Sequence, residues 1–198
     1  SDMVNTAGGI AYNIVKGGSV AVNIKGISGV RIYNNTLYSN RTTSETYRGF
    51  VDIYTNTDVS PASKAYGTTI YNNIFYTKYA TYCIQIDDAD ALTGLESDYN
   101  IFYSESGRVL FDYCGTSKTF EQWQALGYDV HSKIVNPNFI AFTNFVPVTR
   151  LDYGTNLGIE WLGGLSTNSF WSVGSSPATT NQNGTWQVGA RIYNSSSL

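Results

Sequence analysis

The sequence predicts an all-β fold of the solenoid kind: a few coils of short parallel strands around one narrow core, closed by a C-terminal cap that contains one short helix. Three observations predict it. The composition favours strands and tight turns, a strand–Asn turn–strand unit recurs along the first half, and that unit fades near residue 112. The expected organisation is one domain, with coils over 1–112 and a cap with an extended wrap over 113–198.

The composition is polar without being charged. Of 198 residues, 14% are charged and 42% hydrophobic, and the net charge is −3. Ser, Thr and Asn supply 59 residues, and there are 16 Tyr, 4 Trp, 19 Gly and a single Met. Val, Ile, Thr, Tyr and Phe suit half-buried pleated surfaces, and Asn and Gly suit turns with positive φ. A phosphate-tracking surface needs a basic excess that this chain lacks, so nucleic acid is not the expected partner. No stretch approaches the roughly 20 apolar residues of a membrane span, and the apolar content argues against disorder. Neutral hydrogen-bonding side chains with aromatic faces suit sugars, and they equally suit the plain surface of a secreted β protein. The start carries no basic, apolar-cored leader. Either such a leader has been removed, or the chain is part of a larger multi-domain protein; a secreted or cell-surface location is expected in both cases.

Three segments align: Val30–Ser39, Thr68–Thr77 and Leu95–Ser104. Asn35, Asn73 and Asn100 fall at one position, with steps of 38 and 27 residues, and Leu37, Phe75 and Phe102 fall at another. Short alternating runs precede the units: Val20–Ile24, Phe50–Tyr54, Cys83–Asp87 and Val109–Asp112. A unit this small cannot bury an apolar face alone, but stacked units can. Parallel stacking sets equivalent residues about 4.8 Å apart. The Asn column then becomes a ladder of side-chain amides, each donating to the next, and the Leu/Phe column an interior stack. A propeller or a sandwich would not call for one Asn at the same point of every unit. Arg41–Arg48 and Val59–Tyr66 read as loop insertions that make the steps unequal.

Ile32-Tyr-Asn-Asn-Thr-Leu37 and Ile70-Tyr-Asn-Asn-Ile-Phe75 resemble the Ile-x-Asn-Asn-x-Phe coil of the right-handed parallel β-helix family of secreted bacterial polysaccharide-active proteins. The likeness runs over about Gly8–Phe111 and implies a right-handed parallel β-helix. Downstream, Thr119–Leu126 reads as a short helix started by Ser117 or Thr119 and ended by Gly127, with Phe120, Trp123 and Leu126 covering the end of the core. Asn136-Pro-Asn-Phe139, Ser176-Pro-Ala178 and the strand-like Val188-Gly-Ala-Arg-Ile-Tyr193 follow. This succession is similar to the closing, C-terminal part of such repeat proteins. A cap of this kind hides core and strand edge together.

Cys83 and Cys114 fit one disulfide or two free thiols, and match no metal or redox spacing. Lone His131 reads as a structural or surface residue. With Ile24, Ile53 and Ile86 inside, alternation turns Asn23, Lys25, Asp52, Tyr54, Gln85 and Asp87 outward on one sheet. Such a strip offers hydrogen bonds and a ring face to an extended sugar chain, or it is ordinary solvated surface. The expected function is therefore an extracellular carbohydrate-binding module for a plant-type polysaccharide, or the closing segment of a larger polysaccharide-active protein, with no catalysis of its own. It requires no cofactor. Asp87, Asp88 and Asp90 form the densest acidic turn, a candidate site for Ca²⁺ as an optional ligand. The alternative implied by the resemblance is an enzyme on the same sheet. A Ca²⁺-assisted lyase would draw on Asp52, Asp87, Asp88 and Asp90 with Lys25 or Arg48; a glycoside hydrolase would draw on Asp52 and Asp87.

Overall fold

Between the first and second strands of each unit the chain must turn within two residues, and the sequence meets this with a left-handed residue followed by Asn. Tyr12, Asn34, Asn72 and Tyr99 have φ of 56°, 51°, 58° and 56°. Asn tolerates that region better than most residues. The Asn that follows satisfies the backbone of the corner. In the computed structural model, which describes residues 8–18, 20–158 and 185–193, this corner organises the fold.

The strands, in chain order, are β1 (Gly9–Ala11), β2 (Ile14–Lys16), β3 (Val22–Lys25), β4 (Arg31–Tyr33), β5 (Thr36–Ser39), β6 (Glu45–Tyr54), β7 (Thr69–Tyr71), β8 (Ile74–Thr77) and β9 (Thr81–Ile86). They continue with β10 (Glu96–Asp98), β11 (Ile101–Ser104), β12 (Leu110–Tyr113), β13 (Thr116–Thr119) and β14 (Lys133–Ile134); α1 is Phe120–Gln124. Three sheets result, ordered β1-β4-β7-β10, β2-β5-β8-β11-β14 and β3-β6-β9-β12-β13. Up to β12, three consecutive strands give one strand to each sheet, and the neighbours pair in parallel. Among these strands only β12 and β13 pair antiparallel, and isolated antiparallel bridges join Asn56 to Ser63 and Phe139 to Pro147. The protein is thus mostly β, with parallel sheets and one short helix.

The Asn column is a continuous ladder. Nδ2 of Asn13 donates to Oδ1 of Asn35 at 3.2 Å, Asn35 to Asn73 at 3.0 Å, and Asn73 to Asn100 at 3.1 Å. The backbone N–H of each Asn donates to the same neighbouring oxygen. Inside, Leu37 pairs with Phe75 and Phe75 with Phe102, whose rings stack at 4.9 Å. Ile24, Ile53 and Ile86 line up beside them as expected and are buried.

Several expectations need correction. The repeat runs further than its three obvious copies: Asn13 begins the ladder, and Ser132 Oγ accepts the N–H of Asn100 before Lys133–Ile134 joins the second sheet. Within Arg41–Arg48, residues from Glu45 on belong to β6, where a register irregularity between Glu45 and Gly49 bends the strand. Thr119, not Ser117, caps α1 and forms a capping box with Gln122. Phe120 and Trp123 are buried, whereas Leu126 is exposed because the helix stops at Gln124. Val188–Tyr193 is no strand; it is a wrap held by Val188 N–H to Leu151 O, Gly189 N–H to Asn72 O and Ala190 N–H to Thr36 Oγ1. Ser176-Pro-Ala178 lies outside the described residues. Both cysteines are free, Cys83 buried and Cys114 exposed.

Candidate binding face on the third sheet

The outer face of the second sheet is occupied by the chain itself. On the second sheet, the rings of Tyr38 and Tyr76 pack against Phe142, Tyr38 against Phe145, and Tyr76 against Phe139. Ile74 and Ile101 pack with Leu151 and Val188. The corner asparagines fasten this cover: Asn34 Nδ2 donates to Gln187 O, while Asn72 donates to Thr155 O and accepts its N–H. That explains the Asn-Asn doublets, the first residue anchoring the wrap and the second building the ladder. Beside the first sheet, Tyr99 stacks on His131 at 4.8 Å, and Asp98 bonds His131 Nδ1 at 2.6 Å. His131 is thus a largely exposed side chain held by a ring stack and a carboxylate.

The third sheet presents the residues that alternation singled out. Asn23 pairs with Asp52, Asp52 with Gln85 and Gln85 with Asp112, giving one row across four strands. Lys25 pairs with Tyr54 in the next row. Asn23 and Asp87 are exposed, and Lys25 and Tyr54 are half-buried. Asp52 and Gln85 correct the expectation of an open strip: they face away from the core yet are only 0% and 7% exposed.

The cover over Asp52 comes from the bend in β6. It folds Arg48 back so that Nη1 donates to Asp52 Oδ2 at 2.5 Å. The guanidinium lies 5.5 Å from the Tyr47 ring centre and 5.7 Å from that of Tyr54, with the Lys25 ammonium 5.9 Å from Tyr54. Lys25 also pairs with Asp58. Burial pushes the Asp52 carboxyl above its ordinary range against the pull of Arg48, and Asp87 and Asp112 push the same way. Burial and Asp87 likewise raise Asp112, while the backbone N–H groups of Gly115, Thr116 and Tyr113 pull it back.

Asp112 and Tyr47 are the members that the sequence did not single out. Asp112 closes the run Val109–Asp112 next to the buried Phe111, but it reaches the row only across a bulge on β9, where two residues separate Tyr82 from Gln85 against one between Leu110 and Asp112. Tyr47 lies in the segment read as loop.

The acidic turn does not gather. Asp87 Oδ1 accepts from Gln85 Nε2 at 2.6 Å. Asp88 caps the short 3-10 helix Ala89–Leu92, taking the N–H of Ala91 and both the N–H and hydroxyl of Thr55. Asp90 pairs with Lys64. Among the described residues, no group of three or more His, Cys, Asp or Glu side chains is arranged to hold a metal ion, and no helix is long and apolar enough to cross a membrane. No family model matches the chain, and no match was found among the curated proteins or the solved structures.

Proposed function

We propose that this chain winds as a right-handed parallel β-helix and binds an extended polysaccharide along the outer face of its third sheet. The observation that carries the reading is the pair of in-register rows, Asn23–Asp52–Gln85–Asp112 and Lys25–Tyr54, on a sheet whose outer side chains take no part in the aromatic cluster over the second sheet. Strands about 4.8 Å apart repeat polar groups at a spacing close to one sugar ring. The rings of Tyr47 and Tyr54 add faces on which a pyranose can stack. The corner joining the first and second sheets has two residues in every unit, whereas the segments that leave the third sheet differ: Gly26–Val30, Thr55–Thr68 and Asp87–Leu95. Length variation beside a rigid sheet is where binding loops belong. The protein acts outside the cell, as a module of a larger chain. Affinity-gel electrophoresis against plant polysaccharides, with and without Ca²⁺, tests the reading: retardation in at least one gel is expected, and unimpeded migration in all of them rules it out.

A second reading rests on Asp52 and Asp112, two buried carboxyls on one row with Gln85 between them. Two rungs separate them by about 9–10 Å along the stack, near the spacing inverting glycosidases use to admit a water. The appearance of new reducing ends on incubation with the retained polysaccharide would favour it.

A further inference from the structure

Asp52 Oδ1, Gln85 Oε1 and Asp112 Oδ1 are buried and have no hydrogen-bond partner. They belong to three consecutive strands of one row, in residues 0%, 7% and 6% exposed. The remaining polar atoms of two of these side chains are already engaged, Asp52 Oδ2 by Arg48 and Gln85 Nε2 by Asp87. A buried acceptor without a donor is unfavourable and rare in folded proteins. Three in register ask for a ligand that brings donors.

The chemistry of that ligand follows from what each class would meet. A uronic acid brings a carboxylate, which adds acceptors and negative charge beside Asp52, Asp87 and Asp112. A divalent cation such as Ca²⁺ wants six to eight oxygens, and no three carboxylates converge here. A sugar hydroxyl donates one proton and carries no charge. Resting on the polysaccharide-binding reading, we infer that this face selects non-acidic sugars, whose hydroxyls donate into Asp52 Oδ1, Gln85 Oε1 and Asp112 Oδ1. Arg48, with 34% of its side chain in solvent, is the movable cover that admits them.

The test uses the whole chain and four soluble probes, neutral xylan and galactan against polygalacturonate and alginate, in affinity gels with EDTA present. Retention on a neutral glycan and none on either polyuronate is expected. Gln85→Leu, which removes the central acceptor, should weaken neutral-glycan binding about tenfold. Asp87→Lys, at an exposed position, should leave the fold intact and add retention on polyuronate. Stronger retention on a polyuronate than on a neutral glycan by the unaltered protein overturns the inference while leaving polysaccharide binding standing. So does neutral-glycan binding that is unchanged in a folded Gln85→Leu protein. Retention on none of the four, nor on any other glycan, removes the binding reading itself.

Discussion

Asn100 Nδ2 donates to Asp129 Oδ1 at 2.8 Å, and this bond terminates the Asn ladder on a carboxylate. Every amide below points its N–H the same way, so the column ends on the strongest acceptor available. Asp129 also accepts from Ser97 Oγ, Ser132 Oγ and Trp123 Nε1 at 2.6–2.8 Å. The ladder, the last rung and α1 thus meet at one fully buried side chain.

The interior of the ladder should matter more than its beginning. Asn73 donates to Ile32 O, Tyr71 O and Asn100 Oδ1, and its own Oδ1 accepts two N–H groups of Asn35. Asn73→Ala orphans several buried groups and should cost about 2–4 kcal/mol. Asn13→Ala, in a partly exposed unit, should cost about 1 kcal/mol or less. Urea denaturation of both variants measures the difference.

The wrap packs closely at Gly189. Gly189 has φ of 87°, and a Cβ there would sit 2.5 Å from Ile74 Cδ1. Gly189→Ala should lower stability by about 2–3 kcal/mol. Gly107→Ala, at φ 74° with nothing within 4 Å of the added carbon, should lose only about 1 kcal/mol. Thermal unfolding of the two variants separates crowding from backbone strain.

Stability should fall as pH rises above the ordinary carboxyl range. Asp52 and Asp112 are both raised in the folded state. Between their unfolded and folded pKa values the native chain binds more protons than the unfolded one, so deprotonation there weakens the fold. Asp112→Asn, which cannot ionise, should flatten this slope and gain on the parent most at neutral pH. Melting temperatures from pH 4 to pH 7 check it; a parent that grows more stable across that window contradicts it.

Tyr54 should carry binding without carrying the fold. Tyr54→Ala removes the ring beneath Lys25 and Arg48. Glycan affinity should drop about threefold to tenfold, with a stability change under about 1 kcal/mol. Gel retardation and a melting curve on the same sample measure both.

The cysteines should report folding. Cys83 is buried and its thiol is pushed up by desolvation, while Cys114 is exposed. Native protein should take up one equivalent of a thiol reagent and denatured protein two. Burial and the charges of Asp88, Asp112 and Asp87 raise Cys114, so it should label more slowly than a free thiol at pH 8.

What the sequence made legible was what repeats identically. Asn35, Asn73 and Asn100 could be aligned by eye, and so could the Leu37, Phe75 and Phe102 stack they accompany. Ser132 was hidden because a hydroxyl replaces the amide, and Asn13 because Val15 and Lys16 stand where the other units have Leu or Phe followed by Tyr. The outward row was legible at Asn23, Asp52 and Gln85, where strict alternation holds. It was lost at Asp112, because the bulge that brings Asp112 beside Gln85 lies on β9 and leaves no mark in the run Val109–Asp112. The burial of Asp52 was not readable, since it depends on Arg48 returning across a bend that no local pattern announces. Asp87, Asp88 and Asp90 looked like a ligand set because they are close in sequence; their side chains instead serve a neighbouring amide, a helix cap and a lysine.

The invariant two-residue corner has an evolutionary consequence. Because every unit is pinned at Tyr12-Asn13, Asn34-Asn35, Asn72-Asn73 and Tyr99-Asn100, changes of length elsewhere leave the spine in phase. Mutation can lengthen or swap Thr55–Thr68 while the scaffold stays fixed, so recognition can diversify on one margin at little risk to foldability.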